Sequence, residues 1–177
     1  MSDSAPVASR LSAWLGISAA VLLIDQATKY WVVSVFELYD RVQVLPFFAW
    51  VRWHNTGAAF SFLADGGGWQ RWFFVALAVG FSTWLIWELV RLARSPAARF
   101  AGAQALAFSL ILGGALGNMI DRALHGYVVD FILVHYDTHY FPAFNVADSA
   151  LFCGAVLWII LMFLEGRQAS NADNTSN

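Results

Sequence analysis

The sequence predicts a mainly α-helical membrane protein, with four transmembrane helices and a small extracytoplasmic subdomain of short β-strands and loops. Three observations carry that prediction. Of 177 residues, 59% are hydrophobic and only 12% are charged, about half of the roughly 25% that a soluble domain carries. Four stretches each supply the ~20 apolar residues that a bilayer core requires. Between the first and second of them lies a segment rich in β-formers and closed by a glycine run, "RVQVLPFFAWVRWHNTGAAFSFLADGGG". The net charge of −2 argues against nucleic acid as a partner. The single cysteine, Cys153, excludes an intrachain disulfide and a CxxC redox or zinc site.

The first span begins near Leu11, in "LSAWLGISAAVLLIDQATKYWVVSVF". Arg10 before an apolar run resembles the start of a cleaved signal peptide. No clear cleavage site follows and three more spans do, so the segment reads as a retained anchor. An outer segment over about 38–68 comes next. Val42, Val44 and the Trp/Phe/Val-rich stretch after them suggest short strands resting at the lipid surface, where aromatic rings settle. Pro46 makes such a strand an edge or interrupts it. The second span is Trp69 to Leu92, the third Phe100 to Ile120 and the fourth Phe144 to Leu164, with a second outer segment over about 121–143. One four-span domain thus covers 11–164, between an N-terminus (1–10) and a polar tail (165–177) expected to be disordered.

Four spans place both termini on one side of the membrane. Arg10, Arg91, Arg94, Arg99 and Arg167 share that side, against Lys29, Arg41, Arg52, Arg71 and Arg122 on the other. The counts balance, but Arg91, Arg94 and Arg99 crowd one short loop, and density near span ends is what orients helices. Both termini are therefore expected in the cytoplasm.

Several polar residues sit at odds with this apolar setting. Asp25 and Lys29, at i and i+4 of the first span, form a helix ion pair near the interface or support a reactive centre. Gly113, Gly114 and Gly117 close the third span and allow close helix approach. Asn118 and Arg122 share a helix face there, placed either to bind a substrate backbone or headgroup or to anchor the helix end. Asn145 is a good N-cap, with Asp148 at N3 in the favourable field of a helix N-terminus. Asp130, in "YVVDFILV", has neither a local positive partner nor a capping context. Asp148, Arg122 or a bound substrate must satisfy it across space, because a buried carboxylate left unpaired is costly.

Other chemistries weaken on inspection. A Ser–Lys dyad could use only Lys29, the single lysine, which Asp25 is placed to hold charged. Cys153 lies within the fourth span, where apolar burial makes a thiol inert. His135 and His139 have a spacing seen in metal sites, but no third ligand stands at a recognisable distance, so no metal or cofactor is expected. A carboxylate pair remains. Two acids sharing a site hold one proton between them, so one can deprotonate a water while the other protonates or polarises the attacked carbonyl. Intramembrane acids also serve as proton relays. A small proton-coupled transporter is therefore a second reading, although no internal repeat supports it. A non-catalytic assembly protein whose acids merely cap helices and pair with Arg122 is a third.

Taken in order, "DQATK" (Asp25 to Lys29), "HNTGAAFSFL" (His54 to Leu63), "GGALGNMIDR" (Gly113 to Arg122), "VVDF" (Val128 to Phe131) and "FNVADS" (Phe144 to Ser149) resemble the motifs of the lipoprotein signal peptidase (signal peptidase II) family. These are aspartic proteases of bacterial inner membranes. The resemblance implies four membrane helices with a small outer sheet that cradles the substrate, and Asp130 and Asp148 as the catalytic dyad. It places Asn55, Gly57, Asn118, Arg122 and Asn145 in the substrate-facing or dyad-supporting shell, with Asp25 and Lys29 in support. The implied partners are membrane lipids and prolipoproteins carrying a diacylglyceryl group on a cysteine. Cleavage falls on the N-terminal side of that cysteine. The oligomeric state stays open, a monomer being compatible with all of this.

Overall fold

Helix α3 (Ala101–His125) is the axis of the bundle and packs against α1 (Val7–Val35), α2 (Trp69–Arg94) and α4 (Val146–Thr175). The computed structural model describes residues 6–57, 68–95 and 100–175, with side chains up to Arg167. Each of the four helices contains a stretch long and apolar enough to cross a membrane. The sequence of α3 suits its central place. Ala101, Ala105, Ala107, Gly113, Gly114, Ala115 and Gly117 are buried and keep it thin. At Gly113 a β-carbon would stand 2.7 Å from the Ser18 carbonyl oxygen of α1, and at Gly114 it would collide with the Ala147 carbonyl of α4. The other three helices instead expose Leu23, Ile24, Trp72, Leu77, Ile159 and Phe163, the side chains expected of faces turned to acyl chains. Leu85, Leu89, Phe108 and Leu112 fill the core between α2 and α3, with Trp84 and Trp158 packed against it.

The three glycines lie within α3 and do not close it. The helix runs on past Ile120 and Arg122 to a left-handed C-cap at Gly126 (φ 84°), whose N–H donates to the Arg122 carbonyl at 3.0 Å. A residue with a β-carbon is strained in that conformation.

Beyond this end of the bundle lies a four-stranded antiparallel sheet in the order β1 (Arg41–Leu45), β2 (Phe48–Asn55), β3 (Val128–Tyr136), β4 (His139–Tyr140). Pro46 falls in the turn between β1 and β2, and β1 is an edge strand exposed along its whole length. The second outer segment supplies β3 and β4. Its run of Val, Phe and Ile suits a strand buried on both faces, and Val128 to Phe131 are all buried. Residues 58–67, within "HNTGAAFSFL" and the glycine-closed stretch, and 96–99, including Arg99, lie outside the described residues.

Helix α4 continues past Leu164 as far as Thr175. One expectation is corrected. Cys153 is exposed rather than buried, because its position on α4 opens onto a cavity instead of a neighbouring helix.

Candidate active site

Register brings Asn55 and Asp130 together. In the β2–β3 ladder Trp53 pairs with Asp130 and Asn55 with Val128, so Asn55 and Asp130 are diagonal neighbours on one face. Asn55 Nδ2 donates to Asp130 Oδ2 at 3.0 Å, and Asn55 Oδ1 accepts the Gly57 N–H at 3.0 Å. The Gly57 carbonyl in turn accepts Arg122 Nη2 at 2.8 Å, while the Arg122 guanidinium lies 5.0 Å from the Phe74 ring centre. One arm therefore runs from α3 through the end of β2 to Asp130.

The segment after Pro142 lies along β3. Phe144 exchanges backbone hydrogen bonds with Ile132 at 2.8 and 3.0 Å, which starts α4 beside Asp130. Asn145, wholly buried, caps that helix. Its Oδ1 accepts the Asp148 N–H at 2.9 Å, and its own N–H donates to Asp148 Oδ2 at 3.2 Å. This reciprocal arrangement satisfies two otherwise unpaired donors. The Asn145 Nδ2 group also donates to Asp130 Oδ1 at 2.8 Å. Asn145 is thus both a cap and the link between the two acids.

A second arm reaches Asp148 from α1 and α3. Lys29 Nζ lies 2.8 Å from Asp25 Oδ2 and 3.0 Å from Asp121 Oδ2, and it donates to Asn118 Oδ1 at 3.0 Å. With its oxygen taken by the ammonium, the Asn118 amide presents Nδ2 to Asp148 Oδ1 at 2.7 Å. Asp25 Oδ1 accepts the Ala147 N–H in the first turn of α4 at 2.9 Å, where a negative charge is favoured. The Asp25–Lys29 pair is therefore buried and three-membered, with the two residues 0% and 3% exposed, rather than a two-member interfacial pair. Gly117 makes room for it, since a β-carbon there would stand 2.6 Å from Asp25 Oδ2.

Sequence reasoning missed Asp121 and Gln26. Asp121 closes the ion triad with Asp25 and Lys29 and accepts the Val129 N–H at 3.2 Å. Gln26 Nε2 donates to Asp121 Oδ1 at 2.9 Å. The available signal was that Asp121 lies three residues after Asn118, on the same turn of one helix. Arg122 does not pair directly with Asp130; the two asparagine amides do that work instead.

Both acids line a cavity of about 960 Å³. Asn55, Asn118 and Arg122 share its polar wall, while Trp53, Phe141, Phe144 and Phe152 form an apolar one. Asp130 is 3% exposed and Asp148 is half-buried. Burial, and then the charge of Asp148, push the Asp130 carboxyl up to about 7, against the opposing pull of the Asn55 and Asn145 amides and of Lys29. An apolar trough with a few convergent polar groups suits an amphipathic substrate whose reacting bond is polar.

His135 and His139 do not form a site together. Register pairs His135 with Tyr140 and Tyr136 with His139, so the two imidazoles stand on opposite faces of the hairpin. His135 Nε2 is instead 2.8 Å from Gln43 Nε2 and 3.2 Å from Arg41 Nη2. Among the described residues no group of three or more His, Cys, Asp or Glu is placed to hold a metal.

Four spans, an antiparallel sheet over one end and an acid-lined cavity between them define a class: a multi-pass membrane protein with two buried or half-buried acids gathered in a cavity at one end of the bundle. Residues 17–164 match the signal peptidase (SPase) II family. The chain is 48% identical over 164 residues to the lipoprotein signal peptidase of Alteromonas mediterranea, covering 93% of this chain and 87% of that protein. It is 51% identical to that of Pseudomonas putida, covering 89% and 92%. A solved bacterial membrane enzyme, determined by the in meso method at 2.3 Å, superposes with a TM-score of 0.76 at 33% identity over 88% of this chain and 90% of the other. The chain belongs to the signal peptidase II family: it is a multi-pass bacterial membrane peptidase that removes signal peptides from lipoproteins.

Proposed function

We propose that Asp130 and Asp148 are the catalytic dyad of this peptidase, and that it cuts prolipoproteins on the N-terminal side of a diacylglyceryl-modified cysteine. The observation that carries the reading is the single Asn145 side chain and backbone that holds both carboxyls at one cavity. With one proton shared by the pair, one carboxylate takes a proton from a bound water. The water oxygen attacks the carbonyl carbon of the residue before the cysteine, and the carbonyl oxygen receives the proton of the other carboxyl. The resulting gem-diol collapses as its C–N bond breaks, and the cysteine amine leaves with a proton returned through the pair. Asn55, Gly57, Asn118, Arg122 and Asn145 position the two acids and the substrate backbone. Asp25, Lys29 and Asp121 fix the Asn118 amide, acting through it and not on the substrate.

The lipid matters to this reaction because the cavity lies where the spans end. A diacyl anchor contributes ~0.8 kcal/mol of membrane partitioning per buried methylene. It confines the scissile bond to one depth, an orientation effect that lowers barriers. The test pairs purified protein with two precursors of one sequence, lipidated and unmodified. Only the lipidated precursor is expected to release its signal peptide at an appreciable rate, and Asp130→Asn and Asp148→Asn are each expected to abolish release while extracting from the membrane normally. Turnover by either variant refutes the dyad, and equal rates on the two precursors refute the role of the lipid.

The same proposal places the chain in the inner membrane with both termini cytoplasmic and the cavity on the outer side. It is supported by Arg91 and Arg94 at the end of α2 remote from the cavity. In a Cys153→Ala background, Thr138→Cys in the β3–β4 turn is expected to label from outside intact spheroplasts. Labelling only after permeabilisation would reverse the orientation.

A further inference from the structure

At the end of the bundle away from the carboxyls, α2 runs out beside a groove of about 420 Å³ lined by Trp87, Val90, Arg91, Arg94 and Ser95. The opposite end of α2 touches the candidate site's helix, where Arg71 Nη2 donates to the Ala123 carbonyl at 2.6 Å. Groove and cavity therefore lie at opposite membrane surfaces. The start of α1 joins the groove's end of the bundle, with Arg10 Nη1 donating to the Ala93 carbonyl at 3.1 Å.

Three guanidiniums, of Arg10, Arg91 and Arg94, share this end of the bundle with one carboxylate, and only Arg91 pairs with it. Glu88, only 8% exposed, engages Arg91 through Nε and Nη2, each 2.7 Å from Oε2. Arg94 is exposed and has no hydrogen bond or ion pair among the described residues. Arginines at a helix C-terminus offset the negative end of its dipole, equivalent to about half a charge. That explains one of the three, and Arg10 already covers the Ala93 carbonyl. Counting Arg10, Arg91 and Arg94 against Glu88 and the dipole leaves an excess of about +1.5. Trp87, 58% exposed, stands one turn before Arg91, as an indole does between acyl chains and headgroups. Ile86, also exposed, continues the apolar surface toward the bilayer centre.

We propose that this groove binds the phosphate of an anionic phospholipid, with the acyl chains lying along α2 past Trp87. The Arg94 fork matches a phosphate's oxygens, and basic pockets beside membrane helices hold anionic headgroups. A zwitterionic lipid offers the same phosphate, but its own ammonium cancels the charge that the arginines read. The groove therefore selects by net charge.

The test is native mass spectrometry of the whole chain in neutral detergent, with phosphatidylglycerol or phosphatidylcholine added at equal concentration. Phosphatidylglycerol is expected to be retained in excess over phosphatidylcholine. Arg94→Gln is expected to lower its retention about fivefold, leave phosphatidylcholine unchanged and leave signal-peptide release intact. Arg91 is kept in place because removing it would strand buried Glu88. Equal retention of the two lipids by the parent chain, or undiminished retention of phosphatidylglycerol by Arg94→Gln, overturns the proposal. So does a rise in melting temperature with inorganic phosphate as large as that with phosphatidylglycerol, which would make the groove a free-anion site. A second measurement needs no variant: in high salt the parent's preference for phosphatidylglycerol is expected to fall toward one, and a salt-insensitive preference counts against the groove.

Discussion

Replacing Asp130 with asparagine is expected to abolish activity and, above neutral pH, to raise stability. The fold holds this carboxyl in an unfavourable place: burial first and Asp148 second lift it from 3.8 to about 7. The folded chain keeps a proton that the unfolded chain releases. Stability is therefore greatest below the unfolded value, declines as pH rises from about 4 to about 7, and is level above that. Three pH units at ~1.4 kcal/mol each give about 4 kcal/mol as the order of magnitude of the loss. Asparagine escapes it but turns an amide N–H₂ toward one of the two donors, Asn55 Nδ2 or Asn145 Nδ2. An unsatisfied buried donor costs about 1–3 kcal/mol at every pH. The variant should thus be less stable than its parent near pH 4 and more stable by about 1–3 kcal/mol near pH 8. Thermal unfolding in detergent from pH 4.5 to 8.5 would read this as melting curves that cross, separated at the alkaline end by about 3–10 °C. Parallel dependence on pH, or a variant less stable throughout, would refute the claim that Asp130 is held protonated by its surroundings.

Lys29→Met leaves Asp25 and Asp121 buried without their cation and should cost about 3–5 kcal/mol, read as lower yield and melting temperature. Gly117→Ala forces a β-carbon to within 2.6 Å of Asp25 Oδ2 and should lose about 1–3 kcal/mol. Gly80→Ala, with nothing within 4 Å of the new carbon, should instead gain slightly by unfolding measurements on the same preparation. Cys153 borders the acid-lined cavity, so a bulky maleimide should block signal-peptide release. Cys153→Ala should stay active and resist the reagent; a sensitive variant would place the modification elsewhere.

The four spans were legible because a bilayer imposes a length and a polarity that local composition must meet. Pro46 as a strand boundary and Asn145 as a cap were legible for a similar reason, since their effects are confined to a few residues. The ion triad was not. Lys29 and Asp121 are separated by 121 − 29 = 92 positions, and only the packing of α1 on α3 through Gly113 and Gly117 brings them together. Nor was the exposure of Cys153, because α4 carries no amphipathic pattern that distinguishes a cavity face from a lipid face. Asn145 was readable as a cap from its neighbours, but its second bond, to Asp130, depends on Phe144 lying along β3. The strand character of "VVDFILVHY" was present in its β-branched and aromatic residues, yet its near-continuous hydrophobicity hid the period that marks a strand.

Asn145 caps α4 and Asp148 lies in its first turn, and α4 is the last of the four helices in order of synthesis, whereas Asn55, Asn118, Asp121 and Asp130 all precede it. Until α4 joins the others, Asp25 has no Ala147 N–H to hold and Asp130 lacks its Asn145 amide. On the carboxyl-pair mechanism, a chain caught partway through insertion carries one acid of the pair and no means of sharing a proton. Completion of the bundle and onset of hydrolysis are then a single event, and a nascent peptidase threading among other nascent hydrophobic segments has no active half-built form with which to cut them.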